Sequence, residues 1–187
     1  VFEREGVESI AICLFNSFAN ALHEQTCAEE LRAHWDWVSV SHEIAPVIGE
    51  YERSSTAAVN AYVAPRTATY LQNLNQRLSE LGLLRPILLT QNNGGVIPLE
   101  RIVERPVSLL LSGPAAGVGA LSFYRKAIGS DNLISMEIGG TSCDALLMYR
   151  GNVAVSDEIK IEGYPLALPS VDIHTIGAGG GTIAGVD

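Results

Sequence analysis

The chain has 187 residues and a formal charge of −9, with 12 basic against 21 acidic residues; no cluster of Lys and Arg follows a phosphodiester backbone, so nucleic acid is not an expected partner. Hydrophobic residues make up 47% and the mean hydropathy is +0.20, which supplies a core and excludes general disorder. No apolar run approaches the ~20 residues of a membrane span, and VFEREGVESI lacks a basic region followed by an apolar core, so a soluble, cytoplasmic protein is expected.

Val7–Phe15 is a continuous apolar run of strand length, the pattern of a strand covered on both faces. Asn20 can cap a helix over Ala21–His34, with Leu22, Ala28 and Leu31 on its apolar face and Glu24, Glu29 and Glu30 on its wet face. Trp37–Ser41 alternates like a short strand. Tyr51–Leu81 is the longest helical region, with Val59, Val63, Tyr70, Leu74, Leu78 and Leu81 along one side; Pro65 is expected to interrupt or kink it, and Gly82 to end it. Pro86–Thr90 reads as a strand leaving through Gln-Asn-Asn-Gly-Gly at 91–95. Leu99–Leu111 admits either two helices or a helix and a strand.

Ser112-Gly113-Pro114-Ala115-Ala116-Gly117 reads as a helix start, since the missing N–H of Pro114 costs nothing in a first turn. That helix is expected to reach Ile128. From Asn132 the pattern turns to β, with runs at Leu133–Ile138 and Ala145–Tyr149 and alternation at Asn152–Ser156 and Glu158–Glu162. A boundary is therefore expected near Gly129–Asp131, giving domains over 1–129 and 130–187.

The two apolar runs at Leu133–Ile138 and Ala145–Tyr149 are joined through Gly139-Gly140-Thr141-Ser142, a turn that can take positive φ and expose backbone N–H groups. Successive amides of that kind bind anions, phosphate above all, and the Thr141 and Ser142 hydroxyls add donors. Glu137 and Asp144 flank the turn, an arrangement that suits a Mg²⁺ lying between protein and phosphate. An ordinary Gly-Gly hairpin turn is the plainer reading. A second cluster, Gly177-Ala178-Gly179-Gly180-Gly181, follows Val171–Thr175 at a distance that lets two loops meet at one end of a small sheet; a flexible linker is its alternative.

Asp172 and His174 alternate along a strand, so an imidazole and a carboxylate share one face beside the glycine loop. They can bind a metal or polarise a substrate carbonyl, or His174 can be an ordinary strand-end residue. His23, His34 and His42 read as surface or capping residues, Tyr51-Glu52-Arg53 as a solvated helix start, and Asn92 and Asn93 as a turn or a cleft lining. Cys13, Cys27 and Cys143 form no C-x-x-C pair; Cys13 and Cys27 are expected to be buried, reduced thiols.

The motifs SGPAAGVGAL at 112–121, MEIGGTSCDALL at 136–147 and DIHTIGAGGGTIAGVD at 172–187, with weaker stretches at 6–25, 41–65 and 91–95, resemble the hydantoinase A / 5-oxoprolinase family within the actin, hexokinase and heat-shock 70 superfamily. The resemblance implies an α/β fold, part of a two-lobed actin-like ATPase with ribonuclease H-like lobes. It also implies ATP and Mg²⁺ as cofactors, a cyclic amide or related carbonyl substrate, and a hydantoinase B-type partner subunit. On it, Gly139, Gly140, Thr141 and Ser142 hold phosphate, Glu137 and Asp144 organise Mg²⁺, Gly179, Gly180 and Gly181 approach the nucleotide or substrate, and residues 113–121 form the inter-lobe helix. Glu137 stands where the family usually has Asp, and Cys143 where it has Thr. The first phosphate loop and the adenosine-contacting segment have no counterpart here, so the sequence reads as an internal fragment. A nucleotide-dependent conformational module of the actin or heat-shock 70 type is the alternative to an enzyme.

Overall fold

The computed structural model describes Phe2, residues 4–183 and Gly185. In chain order its elements are β1 (Ser9–Ile12), α1 (Leu22–Arg32), β2 (Trp37–Val40), α2 (Ser41–Ile44), α3 (Glu50–Glu80), β3 (Leu88–Thr90), β4 (Val96–Pro98) and α4 (Leu99–Glu104). A 3₁₀ turn at Pro106–Leu109 leads to α5 (Ser112–Ala115), α6 (Gly117–Ile128), β5 (Leu133–Ile138), β6 (Cys143–Tyr149), β7 (Asn152–Val153) and β8 (Val155–Ser156). The chain ends with β9 (Ile159–Ile161), β10 (Tyr164–Leu166), β11 (Ser170–Val171) and β12 (Ile173–Ile176).

Contacts gather these elements into two compact units that interleave along the chain. The first holds Val1–Leu89, Ile97–Leu110 and Asp157–Leu168, the second Thr90–Val96, Leu111–Ser156 and Pro169–Asp187. A single division near residue 129 is therefore not how the chain is partitioned. Helix α6 goes with the strands that follow it because Leu121 and Val118 bury against Leu146 and Met148.

In the first unit β1 and β2 pair in parallel, and Ile10, Ile12, Ala28 and Val40 form a small core with α1. Helix α3 continues unbroken through Pro65, so of the expected interruption or kink the interruption does not occur. Its buried side is a row of small residues, Ala57, Ala61, Ala64 and Ala68, whose close packing offsets the one backbone hydrogen bond that proline removes. Gly82 ends the helix as expected, at φ +91°, with its N–H on the Ser79 carbonyl and the Leu83 N–H on that of Leu78, both at 2.9 Å. Asn60 on α3 donates to the Ser39 hydroxyl at 2.9 Å and accepts the Val107 N–H at 3.1 Å, so the segment 99–111 is held as helix and 3₁₀ turn.

The second unit is built on an antiparallel sheet ordered β12-β6-β5, with β7 on β6. Ser135 and Ile173 stand opposite Leu146, and Glu137 and Thr175 stand opposite Asp144. Because paired residues share a face, Leu146, Met148, Ile173, Glu137, Asp144 and Thr175 all lie on the side that α6 covers. Ile134, Met136, Leu147 and His174 lie on the other side, and Ile134 is 72% exposed there.

Candidate functional site

At one end of this sheet the chain turns back over Gly139–Ser142, closed by the Gly139 N–H on the Ser142 carbonyl at 2.9 Å. Neither Gly139 nor Gly140 takes the positive φ expected from the sequence, because a four-residue connection does not need the mirror-image turn of a two-residue hairpin. The glycines serve close approach instead. A Cβ on Gly179 would overlap the Gly140 carbonyl and come within 2.6 Å of the Thr141 nitrogen, and the Gly180 N–H donates to the Gly139 carbonyl at 2.9 Å. The two glycine clusters therefore meet at one end of the sheet. The N–H groups of Gly140 and Thr141 have no hydrogen-bond partner among the described residues, and the space beside the Gly140 Cα is open.

Glu137 and Asp144 are directly opposed across β5 and β6. Asp144 accepts the Thr175 hydroxyl at 2.6 Å on Oδ1 and the Ser142 hydroxyl at 3.5 Å on Oδ2. The Glu137 carboxylate reaches over the start of α6, where a Cβ on Gly117 would overlap its Oε1. Two like charges facing one another are unfavourable unless a cation lies between them. Two carboxylates with hydroxyl and water oxygens are a donor set that suits Mg²⁺, and unpartnered amides beside them suit phosphate. The residues present therefore fit both groups, although among the described residues no cluster of three or more His, Cys, Asp or Glu forms a denser metal site.

Asp172 and His174 share a face, as their spacing requires, and line a shallow hollow with Ile134, Ala145, Leu146 and Leu147. That face is the one opposite Glu137, Asp144 and Thr175, since His174 pairs with Ala145 and Thr175 with Asp144. Strand alternation, which put the two together, also turns them away from the acids flanking the Gly139–Ser142 turn. Asn92 is buried; its carbonyl accepts the Val171 N–H at 2.9 Å and the Ser170 hydroxyl at 3.1 Å, while its side-chain Nδ2 has no partner among the described residues.

The first unit holds a polar cluster that periodicity had placed in water. Glu24 is fully buried and accepts the Leu14 N–H at 2.7 Å, the Ser41 hydroxyl at 2.6 Å, and the His42 N–H and Nδ1 at 3.0 and 2.7 Å. Burial alone would raise its pKa, but the bonds from Ser41, His42 and Leu14 outweigh that and bring it down to about 2. Arg53, read as part of a solvated helix start, is fully buried too. It donates to the Ser41 hydroxyl at 2.9 Å, to the Leu14 carbonyl at 2.6 Å and to the Glu50 carboxylate. His42, read as a surface or capping residue, is a partner of Glu24. Of the thiols, Cys143 is buried and Cys27, expected inside, is exposed.

The sequence pattern of the hydantoinase/oxoprolinase family matches residues 53–187. The chain belongs to this family. Among its relatives, the caprolactamase subunit alpha of Pseudomonas jessenii is 36% identical over 188 residues, covering 100% of this chain and 27% of that protein. The 5-oxoprolinase of Dictyostelium discoideum is 30% identical over 193 residues, covering 95% of this chain and 15% of that one. The crystal structure of the ATP-dependent caprolactamase from Pseudomonas jessenii matches the fold with a TM-score of 0.87 over 100% of this chain and 27% of that one. The chain thus spans under a third of each of these relatives. The α/β fold class and the family read from the three motifs both hold.

Proposed function

We propose that the Gly139–Ser142 turn is a phosphate-binding element of an ATP-dependent amide-activating enzyme, cytoplasmic and related in chemistry to caprolactamase and 5-oxoprolinase. The observation that carries this reading is the junction of two glycine loops beside the opposed carboxylates of Glu137 and Asp144. The N–H groups of Gly140 and Thr141 and the Thr141 and Ser142 hydroxyls are the phosphate donors. Glu137 and Asp144 hold Mg²⁺. When bound, Mg²⁺-ATP would supply a phosphoryl group to the amide oxygen with release of ADP, which makes the poorly electrophilic amide carbon open to a nucleophile and gives it phosphate as the leaving group. The protein's part is to fix the acceptor geometry in advance, with amides that need no reorganisation as charge develops.

The hydantoinase family tie supports a cyclic amide or related carbonyl compound as substrate, and the subunit designation of the caprolactamase relative supports a companion subunit, which in this reading is of hydantoinase B type. Gly179 and Gly180 back the phosphate turn through the Gly140 and Gly139 peptides. Asp172 and His174 stand on the opposite sheet face and are the groups that can polarise a carbonyl presented there.

Isothermal titration of the full-length protein with ATP and Mg²⁺ tests the assignment beside Gly140→Val. Valine fits the open space at Gly140 but fills the approach to the unpartnered amides. Loss of ATP binding with the melting temperature retained is the expected result; unchanged affinity would remove the phosphate reading.

A further inference from the structure

We infer that Gly179 and Thr175 are positioning residues: β12 and its glycine loop hold the Gly139–Ser142 turn in shape from behind, and Gly179 acts through Gly140 rather than on the nucleotide. The inference rests on the phosphate reading for its functional meaning, but its structural content stands apart from it.

Three contacts carry it, all inside the second unit. The Thr175 hydroxyl donates to Asp144 Oδ1 at 2.6 Å, which fixes one acid and leaves the other carboxylate oxygen to the Ser142 hydroxyl. The Gly180 N–H donates to the Gly139 carbonyl at 2.9 Å. Gly179 lies so close to the Gly140 peptide that any side chain must displace backbone rather than a flexible side-chain end. Gly181, two residues on, has nothing within 4 Å of where a Cβ would stand. The glycines are therefore not equivalent: one is demanded by backbone packing against the turn, and another faces open space. A turn whose own closure is a single Gly139–Ser142 bond has little of its own to hold it. An amide array aimed at an anion must be held to a fraction of an ångström, and the backing segment supplies that constraint.

The test uses the full-length protein, with hydrogen exchange of the peptide spanning 136–144 measured without nucleotide and Mg²⁺-ATP affinity measured by calorimetry. Gly179→Ala is expected to speed exchange in that peptide about tenfold and to weaken ATP about tenfold or more, whereas Gly181→Ala changes neither. Thr175→Val is expected to move both in the same direction by less, and Thr175→Ser, which keeps the hydroxyl, to restore them. Should Gly179→Ala fail to fold, the Val and Ser variants of Thr175 decide. Exchange unchanged in both Gly179→Ala and Thr175→Val overturns the inference. So does equal loss of ATP affinity in the alanine variants of Gly179 and Gly181 with exchange unchanged, since that pattern marks direct ligand contact. If no form binds ATP, the phosphate reading fails while the exchange comparison still decides the positioning role.

Discussion

Glu137 faces Asp144 directly across the β5–β6 hairpin, on the sheet face that also carries Thr175. A pair of like charges in opposed positions costs stability on its own.

Glu137→Gln is therefore expected to stabilise the metal-free protein by about 0.5 kcal/mol, the size of a relieved cross-strand repulsion. It should also abolish any upward shift of the melting temperature by Mg²⁺ with nucleotide. Thermal melts with and without Mg²⁺-ATP check both signs; a variant that retains the full Mg²⁺ shift would exclude Glu137 from the metal site.

Gly117 governs where the Glu137 carboxylate sits. A Cβ there meets the Glu137 Oε1 and, at 3.1 Å, the Leu146 Cδ1, both ends of side chains that can move. Gly117→Ala should cost under about 1 kcal/mol, since alanine's better helix propensity offsets the crowding. Its cost should fall on Mg²⁺-dependent ATP affinity, several-fold by calorimetry, because the displaced group is the carboxylate.

Glu24 is held at about 2 against an ordinary value of 4.5, so the unfolded chain binds its proton more tightly than the folded one. The stabilisation is complete above about pH 4.5 and is lost as pH falls toward 2; it amounts to about 3 kcal/mol, at ~1.4 kcal/mol per pH unit. Urea midpoints should fall through that acid window in the unaltered protein. Glu24→Gln should be less stable at pH 7 and show a flatter acid limb.

Arg53 serves four acceptors, on Leu14, Ser41, Val47 and Glu50. Arg53→Met should cost about 3 kcal/mol or more, because it leaves buried acceptors unpaired. Arg53→Lys should recover little, since an ammonium lacks the planar fork that reaches several acceptors at once. Chemical denaturation of the two variants checks the order.

The glycine clusters, the helix start at Ser112–Gly117 and the strands β5 and β6 were legible because each leaves a local mark: runs of glycine, a proline in a first turn, apolar residues at strand length. Glu24 and Arg53 were misread for the complementary reason. Helical periodicity judges a charged residue by its own helix face, and their burial is satisfied mainly by Leu14, Ser41 and His42, which lie 10 to 39 residues away on loops and other elements. The same limit applies to Asp172 and His174. Alternation placed them on one face, while the register of β12 on β6 decided that this face is the one opposite Asp144.

The amino-acid order by itself determined the long helix α3, the strands β5 and β6, the acid-flanked Gly-Gly turn and the family to which the chain belongs, because these rest on short-range sterics and on motifs read in line. Tertiary structure alone decided that Gly179 meets Gly140, that the Glu137 carboxylate reaches over Gly117, and that a carboxylate and a guanidinium are buried around Ser41. Those are contacts between segments distant in sequence, and only packing and strand register bring their atoms together.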